Sequence, residues 1–292
     1  MWKLRSSHDR IDLTNTRFTP RSRPCALITG ASQGLGRALA EECARGTDTR
    51  AGMNLALVAL PGSDLGGVAR DIAERHQVRV EHLEMDLAAP GSPEALHRWI
   101  QDSRLPVSVL INNAGVGYNS RFEDSTLREN ESCIPLNNLA LVKITRLMLP
   151  QLKHHPRAFI LNVASLAAFF PIPFMPVYAP SKAFIVNFSL ALREEMRDTP
   201  VSVSVLCPNG IRTNGECRTK ISSHGFIGEL VSMNPDQVAA EAMRGLWAGK
   251  PIIVPGFINR VILAVGRHAP SSLVCPITSA FYSKTARHGC PA

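Results

Sequence analysis

Between residues 25 and 254 the chain alternates short apolar runs with longer stretches of helical spacing. Cys25 to Thr29, Asn54 to Leu60, Val107 to Ile111, Arg157 to Ala164 and Val201 to Cys207 read as strands, with Pro251 to Val254 as a seventh. The strand from Val78 to Glu84 alternates instead. Near-continuous apolar runs fit strands buried on both faces, as parallel sheets require. Helices are expected to follow Gly36 through about Arg45, and over Asp64 to His76, Ser92 to Ser103, Glu131 to Lys153 and Val177 to Arg197. Strands joined by helices of this length form right-handed βαβ crossovers, so the expected fold class is α/β, a doubly wound parallel sheet (Rossmann) in one domain.

The chain divides into three regions. Residues 1–24 read as a loose basic N-terminal extension, residues 25–259 as the nucleotide-binding catalytic domain with a lid near 214–235, and residues 260–292 as a basic, apolar C-terminal tail. A longer link at 47–52 joins the first helix to the second strand.

Charge changes the picture only through its location. The net charge is +8, but residues 1–24 hold six bases against two acids and residues 260–292 hold four bases and no acid. The body is therefore neutral and offers no basic groove, which excludes nucleic acid as the expected partner. Basic ends beside an anionic membrane are one reading and solvated ends the other. The 7 cysteines are scattered without a C-x-x-C, which points to a reducing, cytoplasmic setting, with membrane-peripheral placement as the alternative, and to no metal site.

The chemistry begins where the first strand ends. Gly30, Gly34 and Gly36, with Ser32, Gln33 and Leu35 between them, stand where a chain must turn tightly and present backbone N–H groups to a pyrophosphate. An ordinary turn is the alternative. Ala59 to Ser63 holds no acid to meet a ribose 2′-hydroxyl, and the Gly62 and Ser63 amides face no expected repulsion for a 2′-phosphate. The expected cofactor therefore leans to NADP(H), with NAD(H) as the alternative. Arg37 is either a counter-charge there or a solvated helix residue.

Tyr178 and Lys182 are four residues apart, one helical turn, and Ser165 lies thirteen before the Tyr. A cation near a phenol favours phenolate and draws its pKa toward the working range, while a hydroxyl holds a substrate oxygen. That is equipment for carbonyl/alcohol redox beside a hydride carrier.

With Thr29-Gly30-Ala31-Ser32-Gln33-Gly34-Leu35-Gly36, Asn112-Asn113-Ala114-Gly115, Ser165 and Tyr178-x-x-x-Lys182 in order, residues 25–215 resemble the short-chain dehydrogenase/reductase family. The resemblance implies an enzyme with a nicotinamide cofactor and a Ser-Tyr-Lys-Asn site. Tyr178 would be the general acid/base, Lys182 would lower its pKa and bind the nicotinamide ribose, and Ser165 would orient the carbonyl. Asn137 would hold a relay water, with Asn138 as its competitor. Asp86 and Leu87 would meet adenine, Asn113, Ala114 and Gly115 would line the cofactor, and Pro208, Ile211 and Thr213 would lie near the carboxamide.

The resemblance also implies a homodimer or homotetramer. Pro208-Asn209 departs from the family's Pro-Gly, and Pro180 falls in the first turn of the catalytic helix, where no kink is expected. Leu166, Phe169, Phe170, Pro171, Ile172, Pro173, Phe174 and Met175 either wall a cleft for an apolar carbonyl or alcohol, 3-oxoacyl or steroid-like, or pack the core. The alternative class of function is a silent NAD(P)-binding sensor or scaffold.

Overall fold

A computed structural model describes residues 23–46, 51–212 and 225–286. Seven parallel strands, β1 (Cys25–Thr29), β2 (Asn54–Ala59), β3 (Val80–Glu84), β4 (Val107–Asn112), β5 (Ala158–Val163), β6 (Val201–Leu206) and β7 (Ile252–Ile253), form one sheet. Its order is β3-β2-β1-β4-β5-β6-β7, so the crossover direction reverses between β1 and β4. In such a sheet the loops at the carboxyl ends of those two strands part and leave a crevice for a ligand.

Helices cover both faces: α1 (Gly34–Arg45), α2 (Leu65–His76), α3 (Ser92–Asp102), α4 (Leu127–Ile134), α5 (Leu141–Lys153), α6 (Tyr178–Glu195), α7 (Gly225–Val231) and α8 (Pro235–Trp247). All five residues of β1 and all six of β4 and β5 are buried, as their unbroken apolar runs require. Each fully buried Leu or Ile contributes about 1.5–3 kcal/mol, so these strands carry much of the stability. β3, with an alternating sequence at the sheet edge, is only partly buried.

A buried polar chain fixes the middle of the sheet to its helices. Asn112 and Asn162 are register partners on β4 and β5. Asn112 Nδ2 donates to Asn162 Oδ1 at 2.8 Å and to Thr145 Oγ1 of α5 at 3.0 Å, and Asn162 Nδ2 donates to Ser189 Oγ of α6 at 2.9 Å. Slipping any of these elements would strand buried amides, which costs far more than each bond contributes.

The chain beyond β7 includes the expected basic, apolar C-terminal tail. It continues as two helices, α9 (Phe257–Gly266) and α10 (Ser271–Ala286), so the expected domain boundary at 259 falls inside α9. Of the expected lid, residues 225–231 form α7 and Pro235 opens α8, while the rest up to 224 lies outside the described residues. Most of the 47–52 link also lies outside them. Among the described residues no helix is long and apolar enough to cross a membrane.

Candidate active site

The nucleotide end is built from backbone. Gly30 and Gly34 take left-handed φ values of 67° and 55°, which let the chain turn off β1 without strain. Gly36 is required for closeness: a Cβ there would lie 1.9 Å from the Gly30 carbonyl oxygen. Asn113 Nδ2 braces the turn by donating to the carbonyls of Thr29 at 2.9 Å and Gly30 at 3.1 Å. Its structural role as a cross-strand tie therefore stands beside its place on the crevice wall. The start of α1 has no side-chain cap at Gln33 and no acid in its first turn, leaving N–H groups and a positive dipole end open to an anion. These features, with Ser32 and Leu35 in the same turn, fit a dinucleotide pyrophosphate. Asp86 and the buried Leu87 follow β3, with Asp86 Oδ1 accepting from the Ala88 amide at 2.9 Å.

One sequence expectation at this end is corrected. The Gly62 amide does not await a phosphate: it donates to Glu84 Oε2 at 3.1 Å. Ala59 and Glu84 are register partners, so β3 supplies the acid that the β2 segment lacks. Arg37 is likewise occupied, its guanidinium 2.6 Å from Asp71 Oδ2, which also holds Arg75.

The substrate end is built from side chains. Ser165 closes β5 and opens a 3-10 turn (Leu166–Phe169), accepting from the Ala167 amide at 3.2 Å. α6 begins at Tyr178, and Pro180 sits in its first turn without interrupting it, as expected. The first turn delivers Lys182 into the interior at 4% exposure, where Nζ donates to the Val163 carbonyl at 3.1 Å and lies 5.7 Å from the Tyr178 ring centroid.

Asn137 and Asn138 separate clearly. Both lie in a π-helical segment (Pro135–Ala140) between α4 and α5, a wide turn of the kind that often re-aims functional side chains. Asn137 clasps Val116, accepting from its amide and donating to its carbonyl at 2.9 Å each, and donates to Ser181 Oγ at 3.0 Å. A Cβ on Gly115 would stand 3.0 Å from Asn137 Oδ1 and 3.1 Å from Lys182 Nζ, which places all three together. Asn138 turns away to the Ser181 carbonyl at 2.8 Å.

The electrostatics differ from the sequence argument. Burial raises the Tyr178 pKa, a hydrogen bond with Ser165 opposes the rise, and neighbouring Cys133 adds to it. Burial also draws Lys182 down to about 8, against the opposing influence of Cys133 and Cys207. Desolvation is the largest cause of both shifts, and it moves the phenol opposite to the direction expected from a nearby cation.

The apolar stretch between Ser165 and Tyr178 divides between the two roles considered for it. Leu166 is buried and Phe169 packs toward Leu141, Ile185 and Val205, whereas Phe170, Ile172 and Met175 gather around Tyr178. Phe174 takes a left-handed φ of 71°, strained for a bulky residue, while its carbonyl accepts from the Ser120 amide at 3.0 Å. That bond clasps the loop after β4 to the loop before α6. Between them lies a narrow cleft lined by Tyr118, Cys133, Phe174, Met175 and Tyr178.

Two further residues touch the centre. Gly117 lies so close that a Cβ would be 2.5 Å from the Tyr178 ring, and Tyr282 of α10 packs beside Tyr178. Gly117 was visible in Asn-Asn-Ala-Gly-Val-Gly, but nothing in the sequence places residue 282 there.

Pro208 is buried after β6 and its carbonyl accepts from the Leu166 amide at 2.8 Å. Asn209 needs no left-handed backbone; its Nδ2 donates to Asn259 Oδ1 at 3.0 Å. Ile211 bridges to Met233, and Thr213 lies outside the described residues.

A family model for short chain dehydrogenases matches residues 24–221. The chain belongs to the short-chain dehydrogenase/reductase family. It is thereby an oxidoreductase of the NAD(P)-dependent dehydrogenase/reductase class. A ketoacyl reductase, HetN, from Nostoc sp. is 32% identical over 258 residues, 85% of each chain. A very-long-chain 3-oxoacyl-CoA reductase from Mus musculus is 29% identical over 198 residues, 66% of this chain and 61% of its own. The aligned part thus spans about three fifths of that relative's length. Among solved structures, a short-chain dehydrogenase from Sphingobium yanoikuyae in complex with NADPH aligns with a TM-score of 0.70 and 29% identity, over 83% of this chain and 92% of its own. A 7beta-hydroxysteroid dehydrogenase shares the fold at a TM-score of 0.78 and 22% identity, over 88% and 96% of the two chains.

Proposed function

We propose that the protein interconverts a hydrophobic ketone and its alcohol, of 3-oxoacyl or steroid-like size, with Tyr178 as the general acid/base. The observation that carries this reading is the grouping of Ser165, Lys182 and Asn137 around Tyr178, which itself lines a cleft with Phe174 and Met175. When bound, a nicotinamide dinucleotide supplies or accepts the hydride. Ser165 holds the carbonyl oxygen. Tyr178 gives that oxygen its proton in reduction and takes it back in oxidation, so charge never accumulates on the oxygen. Lys182, with a pKa of about 8, is charged at neutral pH and stabilises the phenolate that remains. Asn137 holds the Val116 loop against α6, a place from which a relay water can reach Lys182. The names of the Nostoc and mouse relatives support an acyl-chain ketone as the substrate class.

For the cofactor, the acid-free end of β2 and the NADPH-bound relative favour NADP(H). Glu84 at the Gly62 amide and Arg37 tied to Asp71 favour NAD(H). Pairing into a homodimer or homotetramer is part of the proposal, supported by exposed Leu127, Ile134, Leu139 and Phe184 on and between α4 and α6.

The test is a fluorescence titration with NADPH and NADH, followed by a screen of long-chain 3-oxoacyl thioesters and bulky ketones against short polar ones. Turnover that rises with apolar size supports the reading. Turnover confined to short polar ketones overturns it.

A further inference from the structure

Helix α9 is built inside out. Phe257, Val261 and Val265 recur at i, i+4 and i+8, with Ile258 and Ile262 beside them, so five apolar side chains share one face. In a helix packed on a domain that face turns inward. Here it faces away: Phe257 is 73% exposed and Val265 69%, while Asn259 on the other side is 2% exposed. Asn259 is held inward by polar bonds, accepting from Asn209 and donating to the carbonyls of Val231 at 3.1 Å and Pro255 at 3.0 Å. These bonds fix the rotation of the helix, so the outward apolar stripe is the seated orientation. Helix α10 repeats the arrangement, with Leu273 and Ile277 one turn apart and exposed, while Val274 is buried and Tyr282 packs beside Tyr178.

We propose that the outer face of α9 and α10 docks on an anionic lipid surface. The charge pattern selects this partner. From Ala242 to Ala292 the sequence has no Asp or Glu and six Lys or Arg. The nearest preceding acid, Glu241, accepts a hydrogen bond from the Gly256 amide at the foot of α9. Arg260 and Arg267 are exposed on and just after α9, where their stems can lie along the apolar stripe and their heads can reach lipid phosphates. An apolar stripe whose own helices carry cations and no acid matches a bilayer interface whose headgroups are negative.

The docking helices also pack on the apolar segment between Ser165 and Tyr178. Gly266 of α9 sits against Phe170, since a Cβ there would be 2.5 Å from its ring, and Thr278 Oγ1 of α10 lies 3.4 Å from the Pro171 carbonyl. A lipid-soluble ketone would thus pass from the bilayer to Tyr178 across the helix pair. This passage rests on the function proposed above; the docking itself does not.

The experiment is flotation of the full chain with vesicles of phosphatidylglycerol and phosphatidylcholine in about a one-to-two ratio, and with vesicles of phosphatidylcholine alone. The protein is expected to float with the anionic vesicles, at least about tenfold more than with neutral ones, and to be released by high salt. Val261→Asp/Val265→Asp and Arg260→Glu/Arg267→Glu should each lose flotation while keeping nicotinamide binding and their mass in solution. Equal flotation on both vesicle types, or flotation by Val261→Asp/Val265→Asp at the wild-type level, overturns the proposal. So does a wild type that stays with the soluble fraction as an oligomer and becomes a monomer in Val261→Asp/Val265→Asp, since a second copy would then be the occupant. Flotation without turnover of any hydrophobic ketone would leave the docking standing and remove the proposed reaction.

Discussion

The two ends of the crevice are made in opposite ways. At the nucleotide end, Gly30, Gly34 and Gly36 do their work by having no side chain, and the ligand would meet backbone amides and a helix terminus. At the proposed substrate end, Ser165, Tyr178 and Lys182 would act through side chains, and Asn137, Gly117 and the clasp between Ser120 and Phe174 pack around them. Backbone geometry is unforgiving but simple, whereas a side-chain site can be tuned by burial and neighbours.

The sharpest break between the ends should come from glycine. Gly36→Ala forces a methyl to within 1.9 Å of the Gly30 carbonyl, and backbone cannot yield as a side chain would. It is expected to cost about 3 kcal/mol of stability and to abolish nucleotide binding, read by urea unfolding and fluorescence titration. Gly117→Ala tests the other end. Its methyl would press on the Tyr178 ring at 2.5 Å, so turnover should fall by roughly 10- to 100-fold while nucleotide affinity stays unchanged.

How much of this was legible in the sequence follows the same division. β1, β4 and β5 were readable because strands buried on both faces must be apolar throughout, and the glycine turn because few other residues tolerate its backbone. That Tyr178, Lys182 and Ser165 lie together was readable from spacing. Glu84, Tyr282 and the choice between Asn137 and Asn138 were not, since each depends on which distant element lies alongside. The direction of the Tyr178 shift was misjudged because spacing reveals a nearby cation but not the burial of both groups. Helices α9 and α10 escaped the sequence reading because an apolar face that turns outward looks like a featureless apolar run.

Two smaller effects sharpen the contrast. Folding draws Lys182 from 10.5 to about 8, so between those values the unfolded chain holds a proton that the folded chain has released. Stability from this group therefore rises with pH across that window, and below pH 8 its burial is a full penalty. Lys182→Met should accordingly be more stable than wild type at pH 7 by about 2 kcal/mol, after loss of the bond to Val163. Denaturation at several pH values should show that advantage shrinking as pH climbs from 8 toward 10.5. At the nucleotide end, Glu84→Gln removes one exposed carboxylate and should tighten NADPH roughly two- to fivefold relative to NADH, read by titration.

The most direct test of the account is Tyr178→Phe, which keeps the ring that packs beside Gly117 and Tyr282 and removes only the hydroxyl. Nucleotide binding should match wild type in a fluorescence titration, and turnover of the best ketone from the screen should fall by about 1000-fold or more. Turnover near the wild-type level with intact binding would contradict the assignment of Tyr178 as the proton donor and with it the proposed chemistry of the cleft.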